Sequence, residues 1–180
     1  MKQPLEQPAI LERLCERFGS RLVAGSSEAG DPWIEVPAEL LVEVCLFLRD
    51  DPALRLNFLN CITSVDYFEP DAKKAAKVTW QAHLEVIYHL SSLVHGHRLV
   101  LKVKLPRWKD DRPGQLPEVP SVSHIWSTAN WHEREVFDLG GVRFMGHPDL
   151  RRILCPEDWA GHPLRKDYEM PLEYHGIRAR

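Results

Sequence analysis

The sequence predicts an α+β fold, a two-layer sandwich of a mostly antiparallel β-sheet with helices on one face, followed by an extended irregular C-terminal arm. Three observations carry this prediction. Two segments repeat apolar residues at helical spacing, two later segments alternate apolar and polar residues around a turn, and a proline-rich stretch then ends the regular patterning. With 180 residues, 44% of them hydrophobic, the chain is long enough to bury a core.

Two helices are predicted in the first third of the chain. The first carries an apolar stripe and is followed by Gly19, which suits a helix C-terminus. The second covers 38–51, directly after Pro37, which a first helical turn tolerates. The stripe residues are Ile10, Leu11, Leu14, Cys15 and Phe18 in the first helix, and Leu40, Leu41, Val44, Cys45 and Leu48 in the second.

Strands are predicted around and after these helices. Short strands at 21–24 and 33–36 flank a turn that contains Gly25 and Gly30, and the aromatic and β-branched run 56–68 predicts a longer strand. Segments 83–94 and 98–105 alternate around "HGH" at 95–97, which indicates a hairpin. Each hairpin strand has one apolar face, so we expect helices on one side of the sheet and water or a partner on the other.

The pattern changes after Leu105. Residues 106–120 hold four prolines and no periodicity, which predicts an exposed linker and a boundary near residue 120. We therefore predict an α+β domain over 1–120 and, over 121–180, a helix plus an extended strap that packs on a partner subunit. Within residues 121–180, the segment 121–139 is predicted as a helix ended by Gly140 and Gly141, and 147–154 as one or two helical turns.

Composition excludes several classes of protein. The net charge of -3 provides no basic field for nucleic acid, and no segment approaches the ~18 apolar residues that span a bilayer. The N-terminal residues lack the apolar run of a secretory signal, so a cytoplasmic location is predicted. Because the cysteines Cys15, Cys45, Cys61 and Cys155 are widely spaced, we expect reduced thiols rather than a metal or iron–sulfur site.

Candidate catalytic groups are few. Glu133, Glu135 and Asp138 share one short segment, and His95 and His97 flank a turn, but neither set has enough ligands for a metal site. A stand-alone carboxylate or histidine metalloenzyme is therefore kept only as an alternative. No nucleophile elbow, phosphate loop or dinucleotide fingerprint is present in the sequence.

Residues 126–168 interleave aromatic side chains with arginines, the composition that dominates protein interfaces. This pattern favours binding to another protein. The alternative is that the same residues attach the arm to its own domain. His147, His162 and His175 are predicted to be hydrogen-bonding anchors of loop backbone.

The run "EREVFDLGGVRFMGHPDLRRILCPEDWAGHPLRKDY", residues 133–168, closely resembles the signature of the C subunit of the proton-pumping NADH:quinone oxidoreductase, respiratory complex I. "VPSVSHIW" at 119–126 and "VLKVKLPR" at 100–107 resemble its flanking segments. The resemblance covers about residues 80–168. It departs from the family at Leu139-Gly140, where an aromatic usually precedes the glycine, and at Glu169 and Met170, where a proline often follows the tyrosine directly.

This resemblance implies a non-catalytic, cofactor-free scaffold subunit of the peripheral arm. Flavin mononucleotide, iron–sulfur clusters and quinone would belong to the rest of the complex, which couples electron transfer from NADH to proton translocation. The partners implied are the large quinone-cavity subunit and its iron–sulfur neighbour, at the cytoplasmic face of the inner membrane, with no span of its own. Related membrane-bound hydrogenases and ferredoxin- or deazaflavin-linked dehydrogenases use similar subunits, so an equivalent role there is the alternative.

The residues expected to bind the partner lie in the matching segment. They are Trp131, Glu133, Arg134, Glu135, Asp138, Phe144, His147, Asp149, Arg151, Arg152, Asp158, Trp159, His162, Arg165, Lys166, Asp167 and Tyr168. We expect the charged members to anchor the strap by charge-assisted hydrogen bonds and the aromatic members to supply buried area. No catalytic, cofactor-binding or metal-binding residue is predicted in the chain.

Overall fold

A five-stranded sheet is the centre of the protein, which a computed structural model describes over residues 5–25 and 32–178. The regular elements in chain order are α1 (Gln7–Phe18), β1 (Val23–Gly25), β2 (Trp33–Glu35), α2 (Leu41–Asp50), β3 (Phe58–Tyr67), α3 (Ala72–Ala75), β4 (His83–Ser91), β5 (Arg98–Leu105), β6 (Glu118–Pro120), α4 (Ala129–Glu135), β7 (Arg143–Met145), β8 (Glu173–Tyr174) and β9 (Ile177–Arg178). Single 3₁₀ turns precede α2 and follow α1, and a π-helical turn, Val136–Gly140, continues α4.

The main sheet has the strand order β1-β2-β5-β4-β3. All its neighbours are antiparallel except β2 and β5, so the predicted mostly antiparallel sheet is confirmed. The β4–β5 hairpin lies where the alternation placed it. Its loop closes through a hydrogen bond from the Ser92 N–H to the His97 carbonyl, and Gly96 takes a φ of 80° in that loop.

One face of the sheet is buried under the helices. The inward residues of β4 and β5, such as Val86, Tyr88 and Leu101, form a single core with apolar residues of α1, α2 and α4. The opposite face carries polar side chains, among which Lys102 pairs with Glu85 at 3.0 Å. Since the apolar residues of these strands recur every second position, their burial against helices follows directly from the strand geometry.

The first half of the chain follows the predicted elements closely. Both helices, the strand over 56–68 and the hairpin are observed, and α1 ends at Gly19, whose φ is 76° and whose N–H bonds to the Cys15 carbonyl. Strand β1 begins two residues later than expected, because Arg21 belongs to a 3₁₀ turn. The part of the predicted turn that contains Gly30 lies outside the described residues.

Of three local predictions after Leu105, two hold only in part and one is wrong. The segment 106–120 is not exposed throughout, since Arg107 and Val119 are buried and β6 pairs in parallel with β7. The predicted helix over 121–139 begins only at Ala129. No helical turn forms over 147–154, where the backbone makes turns and bends. Over 147–154, the buried carboxylate of Asp138 binds the Ile153 and Leu154 N–H groups that a helix would use.

The hydrophobic core continues past residue 120. Val122, Trp126 and Phe144 belong to the same buried cluster as residues of α2 and β4, and the indole N–H of Trp126 donates to the Leu56 carbonyl at 3.2 Å. Between Met145 and Glu173 the chain makes only turns and bends. The packing of residues 121–180 on a partner subunit stays a prediction.

Candidate partner-binding segment

Asp138 organises the backbone that follows it. Its side chain is fully buried, and its Oδ2 accepts the N–H groups of Ile153, Leu154 and Cys155 at 3.0, 2.7 and 2.8 Å. Its Oδ1 lies 2.6 Å from Nη1 of Arg152. Burial alone raises the pKa of this carboxyl, but the three N–H groups and the guanidinium outweigh burial and lower the pKa to about 2. Asp138 is therefore a permanent anion that fixes an irregular stretch of strap.

Arg152 extends the hydrogen-bonding network of Asp138 to the next turn of the strap. Besides Asp138, its Nη2 donates to the carbonyls of Trp159 and Gly161, both at 2.9 Å. A planar guanidinium can bind several oxygens in fixed directions, which suits a chain that lacks regular hydrogen bonding. The turn at 159–161 is thereby tied to the π-helical turn that carries Asp138.

Arg165 is bound by carbonyl oxygens alone. Its Nε, Nη1 and Nη2 donate to the carbonyls of Gly140, Arg107 and Gly141 at 2.7, 2.9 and 2.9 Å. The guanidinium also lies 4.5 Å from the ring centroid of Trp108. Burial lowers the pKa of Arg165 to about 10, which still leaves it charged at neutral pH.

A second cluster of carboxylates and arginine connects the strap to the sheet. Arg107 binds both oxygens of Asp66 at 2.8 Å, and its Nη2 also reaches Asp167 at 2.7 Å. The N–H of Lys166 donates to the same Asp66 at 2.9 Å. Sequence reasoning missed Asp66 and Arg107. The signals were Asp66, which is the only charged residue of strand β3, and the arginine that ends the matching "VLKVKLPR".

Glu133 is buried without a cation in hydrogen-bonding contact. Its Oε2 accepts from the Ser121 hydroxyl at 2.6 Å and its Oε1 from the Val122 N–H at 2.7 Å. The nearest ring nitrogen, Nε2 of His147, is 4.0 Å away. Burial raises the pKa of Glu133 to about 7, against the effect of these two hydrogen bonds. Glu133 therefore holds the turn before α4 in place of the first helical turns predicted there.

Two of the predicted histidine anchors are confirmed. His147 Nε2 lies 3.0 Å from the Asn130 carbonyl, and His162 Nδ1 lies 2.9 Å from the Asp138 carbonyl. His175 is different, because its ring bonds to the side chain of Asp158 rather than to backbone. Arg134 also binds backbone, at the carbonyls of Arg151 and Arg152.

The remaining candidates fall into a buried and an exposed group. Phe144 is part of the core. Trp159 donates to the Tyr168 hydroxyl at 2.9 Å, so these two half-buried side chains bind each other. Trp131 is 64% exposed. The other exposed members are Glu135, Asp149, Arg151, Asp158, Lys166 and Asp167.

Metal ligands do not gather in this segment. Across residues 5–25 and 32–178, no group of three or more histidine, cysteine, aspartate or glutamate side chains is arranged to hold a metal ion. In the same residues no helix has the length and apolar character needed to cross a membrane.

The sequence matches the family model described as "Respiratory-chain NADH dehydrogenase, 30 Kd subunit" over residues 34–174. This chain belongs to that family. The match includes the whole carboxylate and arginine network described above and nearly all of the sheet. It confirms the resemblance that residues 133–168 carry.

Named relatives of this family member agree along the chain. The C subunit of NADH-quinone oxidoreductase from Chlorobium phaeobacteroides is 41% identical, over 99% of this chain and 98% of the relative. The C subunit from Roseiflexus castenholzii is 42% identical, over 94% and 87%. The C 2 subunit from Rhizobium etli is 41% identical, over 87% and 74%.

Solved structures share the fold of this family member. A trypsin-resistant fragment of Nqo5 superimposes with a TM-score of 0.55 at 31% identity, covering 78% of this chain and 98% of the fragment. A chain of the membrane-bound sulfane sulfur reductase, an archaeal respiratory membrane complex, reaches a TM-score of 0.65 at 23% identity, covering 91% and 85%. The second likeness concerns the fold alone.

Gly140, where this family member departs from the family pattern, lies close to the sheet. A side chain at Gly140 would overlap the Ser64 hydroxyl group on β3, so glycine allows the π-helical turn to lie close to the sheet. The carbonyl of Leu139 accepts the Leu164 N–H at 2.9 Å, which joins this turn to the distal strap.

Proposed function

We propose that this chain is a non-catalytic scaffold subunit of the proton-translocating NADH:quinone oxidoreductase, respiratory complex I. In that complex, electrons from NADH pass through flavin mononucleotide and iron–sulfur clusters of other subunits to quinone. This chain binds none of these cofactors and positions the subunits that do. Family membership over residues 34–174 and the names of the relatives support the proposal.

The observation that carries a scaffold role is the rigid internal bonding of an irregular strap. Asp138, Arg152 and Arg165 satisfy the backbone of this segment from within. A surface that is already ordered loses less conformational entropy on binding, which favours tight association. The strap also presents exposed apolar side chains that a partner can cover, namely Leu154, Leu164, Met170 and Leu172.

We assign the large quinone-cavity subunit and its iron–sulfur neighbour as the partners, at the cytoplasmic face of the inner membrane. The strap exposes charges of both signs, such as Arg151 and Asp158. This mixture supports binding to a protein surface that itself carries both signs, rather than to a surface of uniform charge. Most of the binding residues among the original candidates are then the exposed ones, because buried ones such as Asp138 and Arg165 stabilise this chain itself.

Purification of the tagged chain from gently solubilised membranes tests the proposal. Flavin-bearing, iron–sulfur and membrane subunits are expected to co-purify, together with NADH-dependent quinone reduction. Arrival of the partners without NADH oxidation would instead favour the equivalent subunit of a hydrogenase or of a ferredoxin- or deazaflavin-linked dehydrogenase. A chain that purifies alone with stoichiometric metal, measured by elemental analysis, would favour the metalloenzyme alternative.

A further inference from the structure

Trp131 and Arg134 form a surface that the internal bonding of the strap leaves open. They are three residues apart on α4, and the Arg134 guanidinium carbon lies 5.3 Å from the Trp131 ring centroid. The indole is 64% exposed, whereas Arg134 beneath it is only 7% exposed. Tryptophan and arginine are enriched among the residues that dominate the binding energy of protein interfaces.

The charge of Arg134 has no anionic contact within the chain as described. Its Nε and Nη2 donate to the neutral carbonyls of Arg151 and Arg152, both at 3.2 Å. No carboxylate oxygen lies within 4.0 Å of its nitrogens over residues 5–25 and 32–178. Its Nη1 has no hydrogen-bond partner in these residues and is not sealed from solvent.

The other buried arginines of the described chain do not share this property. Arg107 binds two carboxylates, and Arg165 uses all three of its nitrogens on carbonyls. A buried cation is stable when it is paired and fully hydrogen-bonded. Among these three arginines, Arg134 alone has a nitrogen without a hydrogen-bond partner and no contacting anion in the described residues. It can therefore gain a counter-ion from another molecule.

Asp149 does not supply that counter-ion. Its carboxylate pairs with Arg151 at 2.9 Å, and both side chains are more than half exposed. The pKa of Asp149 is lowered chiefly by the Arg151 hydrogen bond, with a smaller contribution from the charge of Arg134. Within the described residues, the positive charge of Arg134 is therefore not neutralised by a contacting carboxylate.

A groove of about 470 Å³ lies beside the indole. Its walls are formed by Trp131, Gly146 and Pro148 and by the polar residues Ser123, His124, Ser127 and Asn130. Met145, next to Gly146 in the chain, is 49% exposed. The groove can thus accept an apolar side chain and bind the backbone that carries it.

We propose that the Trp131–Arg134 surface binds an acidic segment of another subunit of the respiratory complex, through a carboxylate that pairs with Arg134 and an apolar side chain that fills the groove. This inference rests on the proposed function and names the chemistry of one contact. A carboxylate fits better than a phosphate group, because one recessed guanidinium supplies one charge, whereas phosphate sites gather several cations or N–H groups.

The first test compares Trp131→Glu with Trp131→Gln in cells where the tagged chain replaces the native copy. Glutamate at this exposed position supplies a carboxylate from within the chain and repels the carboxylate of the partner. The amount of chain in the assembled complex, measured by quantitative mass spectrometry of native-gel bands, is expected to be about tenfold lower for Glu than for Gln. Leu93→Glu, which adds the same charge at a 70% exposed apolar position, is expected to assemble normally.

The second test identifies the partner carboxylate. In the solubilised complex carrying Arg134→Lys, a carbodiimide couples the new amine to a neighbouring carboxylate with loss of water. Cross-linking mass spectrometry is expected to find the amide bond between this position and an aspartate or glutamate of another subunit. A cross-link only to Asp149, or only between two copies of this chain, overturns the proposal.

Equal assembly of the Trp131→Glu and Trp131→Gln chains overturns the inference by itself, even if Arg134→Lys fails to assemble. The unaltered tagged chain separates this outcome from failure of the proposed function. If NADH:quinone oxidoreductase subunits do not co-purify with the unaltered chain, the proposed function is wrong. If they do co-purify and the two Trp131 variants are equal, only the inference is wrong.

Discussion

Asp138 and Arg152 meet inside the chain, with the carboxylate Oδ1 2.6 Å from the guanidinium Nη1. The same carboxylate accepts three consecutive backbone N–H groups on its other oxygen. Both residues belong to the segment that identifies the family, yet their contacts stabilise this chain rather than an interface. Changes at these residues should therefore act first on the stability of the chain and only through it on assembly.

Replacing Asp138 with asparagine is expected to lower the free energy of unfolding by about 2 kcal/mol at pH 7, the equivalent of the depressed pKa. Since the folded-state pKa is about 2, below the ordinary value of 3.8, the native contribution is present above pH 4 and is lost as the pH falls towards 2. Urea denaturation of the purified full chain, followed by tryptophan fluorescence, measures the change.

Asp149→Asn is the matched control, because Asp149 also pairs with an arginine of the strap but is 53% exposed. Exposed pairs contribute little to stability, so the urea midpoint should not move. Equal losses in the two variants would mean that burial of Asp138 does not matter.

The pH dependence of stability should report Glu133. Its pKa is about 7 in the folded chain against an ordinary value of 4.5, so the folded state keeps a proton that the unfolded state releases. Its contribution is therefore complete below pH 4.5 and is lost as the pH rises through 7, by about 3 kcal/mol in total. Urea midpoints are measured from pH 5 to 8 for the native chain and for the Glu133→Gln variant. The difference between the two midpoints at each pH reports the contribution of Glu133.

The difference is needed because other groups titrate in the same range. Burial lowers the pKa of His97 and His162, which gives stability the opposite dependence on pH. The contributions of these two histidines are the same in the native chain and in the Glu133→Gln variant, so they cancel in the difference. Glu135→Gln, an exposed neighbour on α4, should leave the curve of the native chain unchanged. If the difference between the native chain and the Glu133→Gln variant did not change with pH, the assignment would be refuted.

Gly141→Ala should destabilise the chain more than Gly114→Ala. Both glycines have positive φ, 70° and 88°, so alanine is strained at either position by about 1 kcal/mol. Only at Gly141 would the added Cβ overlap a side chain, since it would lie 2.7 Å from Cδ2 of His162. We expect an additional loss of about 1–3 kcal/mol there, measured from urea denaturation curves. Similar curves for the two variants would show that His162 moves freely.

Arg152→Ala should reduce the amount of assembled complex without changing turnover per assembled complex. Its removal frees the carbonyls of Trp159 and Gly161 and leaves buried Asp138 without its cation. Native-gel abundance and NADH:quinone activity per complex measure the two quantities separately. Normal abundance with lost activity would contradict a scaffold role.

The helices and strands of the first half were predictable because their signals are local. Ile10 and Leu14 lie one helical turn apart, and Val86 and Tyr88 lie on one face of a strand, so burial follows from spacing alone. The helix predicted over 121–139 was wrong in its first half, where a non-local contact holds the chain. The carboxylate of Glu133 takes the N–H of Val122, eleven residues away, which spacing rules do not include.

The sequence by itself determined the fold class, the paired strands and the family, because periodicity and a long run of unusual residues are visible in the order of the amino acids. Only the tertiary structure decided which strap residues face inward. Asp66 and Lys166 are 100 residues apart in sequence but 2.9 Å apart across one hydrogen bond. Arg134 and Arg165 are the same residue type, yet Arg165 is fully bound by carbonyls, whereas one Arg134 nitrogen has no hydrogen-bond partner in the part of the chain that the structure describes. The physical reason is that the oxygen atoms that folding brings around a charged side chain decide whether its charge is satisfied within the chain.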